Sequence, residues 1–296
     1  MFRLSKFTFV AVLLLCVLLF TTNAGASQSR DDSSEEAAEL NNHAVDCVKD
    51  HQYQQAVDLL KKAITLQPDH AMAHYNLGRI YQMRDELNPA IEEYKHAVEL
   101  NPNFVDAFYQ LGISYNTTER YTDAVECLAR AVQLQPGRAD LLTELGFAYS
   151  NDGRAQDAVA VLKEAIGVKP DFVDAYNNLG VAYFKTGQVS VAIEVLQQAI
   201  RLTPELAVAH YNLGSALAQA HRQLQAIAEY KQALMLNPNF AAAHHNLAVL
   251  YLQRGQRSLA LEEYHSLKTI DYEMAEKLFE IIFQNKILNV RQQTRE

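Results

Sequence analysis

Residues 173–206 read VDAYNNLGVAYFKTGQVSVAIEVLQQAIRLTPEL. Tyr176, Leu179, Gly180 and Tyr183 recur at spacings of three and four, which places them on one face of a helix. Gly187 then breaks the pattern, as a residue past a helix C-terminus does. A second run carries Ala192 and Leu196 and stops at Pro204, which lacks an N–H and clashes with the preceding turn. The stretch therefore predicts two helices joined by a tight turn.

The same reading holds outward in both directions. Pro68, Pro102, Pro136, Pro170, Pro204 and Pro238 stand 34 residues apart. Six equally spaced helix stops imply a repeated helical unit. With each unit counted from 31 residues before its proline, position 20 is Ala56, Ala90, Ala124, Ala158, Ala192, Ala226 and Ala260. Position 8 is Ala44, Gly78, Gly112, Gly146, Gly180, Gly214 and Ala248, and position 7 is leucine except for His43. Small residues at 8 and 20 let two antiparallel helices approach closely. Pro89, the one proline off the ladder, reads as the first residue of a second helix, a favourable N1 position.

On these residues the chain resembles the tetratricopeptide repeat (TPR) family over residues 37–274, as seven units: 37–70, 71–104, 105–138, 139–172, 173–206, 207–240 and a degenerate 241–274. It departs from the family in having no Trp, with Leu40, His74, Phe108, Leu142, Tyr176, His210 and His244 at position 4, and in placing Leu267 and Tyr272 where Ala and Pro are usual. The resemblance implies an all-α fold, a right-handed TPR solenoid of about seven helix-turn-helix repeats. Residues 275–296, with Leu278, Phe279, Ile281, Ile282 and Phe283, read as a capping helix and tail closing the last repeat.

The N-terminus carries a different signal. Arg3 and Lys6 precede an apolar run from Phe7 to Phe20, and Ala24-Gly25-Ala26 follows. This is the three-part form of a secretory signal peptide, residues 1–26, with a polar linker at 27–36. The expectation is export, to a periplasm first, with an extracellular or membrane-anchored chain as alternatives. Cys47 and Cys127, the cysteines of the mature chain, fall at apolar-patterned positions and read as buried free thiols.

The formal net charge of −9 argues against a nucleic-acid partner, which needs a basic face. No catalytic, phosphate-binding or metal motif is present, so no enzyme, small-molecule substrate, metal or cofactor is expected. Neighbouring residues on a helix face different ways, so His244-His245 does not read as a metal pair. Asn116-Thr117-Thr118 matches a glycosylation sequon.

What remains is the groove. Position 6 is Asn42, Asn76, Gln110, Glu144, Asn178, Asn212 and Asn246. Asn is a poor residue for a helix interior, and a side-chain amide both donates and accepts. Such a ladder resembles the groove of the O-GlcNAc transferase TPR superhelix, without any catalytic domain, and the resemblance implies a grip on extended peptide. Asp106, Asp140 and Asp174 at position 2 would make the groove acidic, or would serve the first helical turn behind Asn103 and Asp171 as N-caps. Tyr75, Tyr109, Asn177 and Tyr211 at position 5 and Arg79 at position 9 are further contact candidates. The tyrosines read equally as packing along the helix. The carboxylate clamp of chaperone-tail TPR domains is not matched. The expected partner is therefore a protein or peptide. A membrane enters only if the signal segment stays uncleaved, which is the alternative of a tethered assembly factor using residues 7–22 and the C-terminal helix. The oligomeric state stays open.

Overall fold

The computed structural model describes residues 33–293, with side chains through residue 283. The signal segment 1–26 and most of the linker lie outside the described residues. The described chain is all helical, with α1 at residues 33–49 and fourteen further helices. The chain divides into two compact units, residues 1–134 and 135–296.

The first unit holds α1, α2 (Tyr53–Leu66), α3 (Ala71–Met83), α4 (Leu87–Leu100), α5 (Val105–Thr117) and α6 (Tyr121–Leu134). The second holds α7 (Ala139–Asn151), α8 (Ala155–Val168), α9 (Val173–Lys185), α10 (Val189–Leu202), α11 (Ala207–Gln219), α12 (Gln223–Leu236), α13 (Ala241–Gln253), α14 (Arg257–Ile270) and α15 (Tyr272–Gln293). From α3 onward each first helix has 13 residues and each second helix 14, up to α14. Helices pair within each repeat, and successive first helices also touch, α3 with α5 in the first unit and α7 with α9 and α9 with α11 in the second.

The small residues are where the helices meet. Every position-20 alanine has no exposed surface. At position 8 the partner is the residue at position 24: a Cβ on Gly146 would stand 2.4 Å from Leu162 Cγ, and one on Gly78 would stand 2.8 Å from the Tyr94 ring. In these repeats a methyl group would force the position-24 side chain to shift, so glycine permits the close approach, whereas the first and seventh repeats carry Ala44 and Ala248 there.

The turn between the two helices needs a left-handed residue at position 15, and all seven repeats supply one. Gly153, Gly187 and Gly255 do so at φ 82°, 77° and 72°, while His51, Asp85, Glu119 and His221 do so at φ 59°, 61°, 59° and 58°. Four side-chain-bearing residues thus hold a conformation that glycine holds more cheaply.

Three expectations change. Pro89 is the third residue of α4, since the helix opens at Leu87 after Glu86; it still falls in the first turn, where backbone N–H groups have no helical acceptor. Asn103 and Asp171 are not N-caps: Phe104 and Phe172 occupy those positions, with no side-chain cap bond. Cys47 is buried and free, but Cys127 is only part-buried, with burial pushing its thiol up to about 12.

The last helix starts at Tyr272, because Asp271 Oδ1 accepts the Met274 N–H at 2.9 Å. Leu278 and Ile282 bury on the preceding pair, while Phe279 and Ile281 stay 38% exposed. Phe279 stacks between Tyr264 and Phe283, at 5.6 and 4.1 Å.

Candidate functional site

The residues at positions 2, 5, 6, 9, 12 and 13 line the face presented by the first helices. In the first unit this face carries Asn42 on α1, Tyr75, Asn76 and Arg79 on α3, and Asp106, Tyr109 and Gln110 on α5. In the second unit it carries Asp140 and Glu144 on α7, Asp174 and Asn178 on α9, Tyr211 and Asn212 on α11, and Asn246 on α13.

The amides are not independent rungs. In the first unit Asn76 Nδ2 donates to Asn41 Oδ1 at 2.8 Å, and Asn41 Nδ2 donates to Asn42 Oδ1 at 3.4 Å. The second unit repeats the arrangement: Asn212 Nδ2 donates to Asn177 Oδ1 at 2.8 Å, and Asn177 Nδ2 to Asn178 Oδ1 at 3.3 Å. Asn246 instead donates to the Tyr211 hydroxyl at 3.2 Å. The bonds of Asn76, Asn212 and Asn246 join successive first helices, so these position-6 asparagines contribute to repeat stacking, while those within the 41–42 and 177–178 pairs run between neighbours on one helix. Asn41 and Asn177, at position 5, complete these chains; Asn177 is one of the contact candidates of the sequence, whereas Asn41 is not. Their signal was present in the adjacent Asn-Asn pairs at 41–42 and 177–178.

Tyr75 and Tyr211 occupy one geometry in two repeats. Tyr75 packs on Tyr94 and Phe104 at 5.9 and 4.8 Å, and Tyr211 on Tyr230 and Phe240 at 5.8 and 4.8 Å. Arg79 lies over the Tyr75 ring at 5.9 Å. Asp140 is held by Arg138 through two bonds of 3.1 and 2.6 Å, which keeps its carboxyl below the usual range. Asp106 and Asp174 sit in the first turns of α5 and α9, where the helix dipole favours a carboxylate. Asn116 is 7% exposed within α5, so its sequon is folded away. His244 is a core residue: Nδ1 meets Glu263 Oε2 at 2.6 Å and Nε2 meets the Pro238 carbonyl at 2.9 Å. Among the described residues no three His, Cys, Asp or Glu side chains converge as metal ligands.

Clefts open on these first-helix faces in each unit, among the described residues. One lies between α1 and α3, lined by Val45, Val48, Asn76, Arg79 and Met83. A second, of about 150 Å³, is lined by Phe147, Ser150, Asn151, Asn177, Asn178, Val181, Val208 and Asn212. A third, of about 290 Å³, includes Phe184, Ser215, Tyr230, Asn246 and Val249. Each has a position-6 asparagine in its wall and aliphatic side chains beside it.

The family model for the cilia and flagella-associated protein 70 C-terminal domain matches residues 21–248, well over half of the chain. No curated protein matches closely enough to count as a relative. Among solved structures, a tetratricopeptide repeat protein from Parabacteroides merdae is similar with a TM-score of 0.71 and 15% identity, over 84% of this chain and 99% of that one. A chain of the APC/C hetero-tetramer Cut9-Hcn1 gives 0.66 and 20%, over 81% of this chain and 48% of that chain. YrrB, described as a TPR protein with an unusual peptide-binding site, gives 0.51 and 23%, over 63% and 96%. At these identities the likeness is one of fold. The fold is that of the tetratricopeptide repeat proteins.

Proposed function

The chain belongs to the family of the cilia and flagella-associated protein 70 C-terminal domain, and from that premise we propose that it captures extended segments of partner proteins on its first-helix faces. The observation that carries this reading is the recurrence of one cleft type, an asparagine beside aliphatic side chains, between successive first helices. The amides supply backbone hydrogen bonds without reading sequence, as in the O-GlcNAc transferase groove that the ladder resembles. YrrB, a TPR protein with a peptide-binding site, supports the same use of the fold. The partner is a protein or peptide.

Export belongs to the same proposal. Residues 1–26 act as a signal peptide, the mature chain begins at Ser27, and the compartment is a periplasm. Among the described residues no helix is long and apolar enough to cross a membrane. Edman sequencing of the native protein should return Ser27 first; retention of residues 7–22 in a membrane fraction would replace export with tethering.

Alanine at Asn76, Gln110, Asn178 and Asn212 tests the binding reading. Peptide binding should disappear. Stability should fall only by about 0.5–1.5 kcal/mol for each interhelix bond that Asn76 and Asn212 lose. Binding that survives in a folded variant sinks the proposal.

A further inference from the structure

The cleft between α7, α9 and α11 has two properties the general reading does not use. Its amides form a directed chain. Asn178 Oδ1 accepts from Asn177, while Asn178 Nδ2 makes no hydrogen bond among the described residues. Asn212 Nδ2 donates to Asn177, while Asn212 Oδ1 makes no hydrogen bond among the described residues. The two ends therefore differ in the group left wholly unused, the amino group at Asn178 and the carbonyl at Asn212. An extended peptide presents a carbonyl and an N–H, and pairing the carbonyl with Asn178 and the N–H with Asn212 engages both.

The second property is the floor. Helix-interior hydroxyls elsewhere in this chain turn back to the carbonyl four residues before: Ser114 to Gln110 at 2.8 Å, Thr143 to Ala139 at 2.7 Å and Ser215 to Tyr211 at 3.0 Å. Ser150 does not. It is 5% exposed and its Oγ has no partner among the described residues. A buried hydroxyl left unpaired carries a desolvation cost that a bound polar atom would remove. Above it the walls are Phe147, Val181 and Val208, of which Phe147 and Val208 are 36% and 38% exposed.

Resting on the peptide-binding reading, we infer that this cleft takes one neutral side chain with an aliphatic stem and a hydrogen-bonding tip, glutamine being the matching residue. In the same complex Asn178 donates to the peptide carbonyl and Asn212 accepts from the peptide N–H. The stem packs on Phe147, Val181 and Val208, and the tip meets Ser150.

The test is a displayed library of random twelve-residue peptides selected on the intact protein, followed by titration of the winners against folded variants. Winners should share a glutamine or a residue of the same character. Asn178→Asp keeps the oxygen that accepts from Asn177 but loses the donor, and should weaken binding at least tenfold. Val208→Arg, made at an exposed position, should fill the cleft and do the same if the first variant does not fold. Changing the shared glutamine of the peptide to leucine should cost about fivefold on the native protein and almost nothing on Ser150→Ala. Winners lacking such a residue, equal binding to Asn178→Asp or Val208→Arg, or the same leucine penalty on both proteins would overturn the inference. If those winners are nevertheless lost from the four-alanine variant, the general reading stands and only the cleft assignment falls. Winners indifferent to the four-alanine variant, or no peptide binding tighter than about 100 μM, overturn both.

Discussion

Repeats 2, 6 and 7 join their two helices at one point through an imidazole and a carboxylate; repeats 1, 3, 4 and 5 join them there through carbon. Position 4 is His74, His210 or His244 in the first group, and position 23 is Glu93, Glu229 or Glu263, at 2.6 to 2.7 Å. The other ring nitrogen reaches the carbonyl of Pro68, Pro204 or Pro238 at 2.9 to 3.1 Å. In the second group the same positions are Leu40 and Leu59, Phe108 and Cys127, Leu142 and Val161, and Tyr176 and Val195. Position 24 changes with them, tyrosine in the first group and leucine in the second. No repeat mixes the two sets. A half-buried ion without its partner costs more than either complete arrangement, so the set changes as a unit.

The largest effect should come from mixing the sets on purpose. Glu93→Leu alone leaves His74 facing carbon and should cost about 1–3 kcal/mol in a urea titration. Adding His74→Phe gives positions 4 and 23 of repeat 2 apolar residues, as in the second group, with Tyr94 kept, and should restore stability to within about 1 kcal/mol of the native chain. If the two changes simply add, the sets are not coupled and the comparison fails.

The groups should also part company with pH. The hydrogen bond that its Nδ1–H donates to Glu93 holds the His74 imidazole above its ordinary value of 6.5 against the opposing effect of burial, and Glu263 accepts likewise from His244. A raised folded-state value means that the charged pair contributes in full below 6.5 and that the contribution is lost as the pH rises through the folded value. The Tm should therefore fall as the pH is raised from 6.5. The variant carrying His74→Phe, Glu93→Leu, His244→Phe and Glu263→Leu should show a flatter profile; an unchanged slope would assign the dependence to other groups.

Much of this architecture was legible because the repeat imposes one register on every helix. Pro68 through Pro238 mark where second helices stop, and Ala56 through Ala260 mark where pairs touch. The core role of His244 was legible from its register with His74 and His210. Its partner was legible too, in a glutamate nineteen residues later in those repeats and no others, but that comparison needs two positions read together. The amide ladder was read only in part. Position 6 recurs, yet nothing local to it says that Asn76 and Asn212 reach back to position 5 of the preceding repeat. Such bonds depend on how successive helices stack, which a single helix pattern does not encode. The left-handed residue at position 15 was visible where it is glycine and hidden at His51, Asp85, Glu119 and His221.

That turn offers a smaller test, one that should ignore the two groups. Glu119→Gly lies in a carbon-joined repeat and His221→Gly in an ion-joined one, at φ 59° and 58°. Each should stabilise by about 1 kcal/mol through relief of the left-handed strain. Unequal gains would mean that the manner of joining reaches as far as the turn.

The smallest effect separates charge from burial. Glu273 and Lys277 on α15 approach to 2.7 Å, as close as His74 and Glu93, but their side chains are 82% and 68% exposed against 10% and 22% for the histidine pair. Distance alone would rank the two pairs together. Solvent screening and the side-chain entropy lost in holding an exposed pair argue otherwise. Lys277→Ala should leave the urea midpoint where it is, at low and at high salt. A shift comparable to that of Glu93→Leu would show that proximity, rather than burial with a complete set of partners, is what makes the ion-joined repeats depend on their pairs.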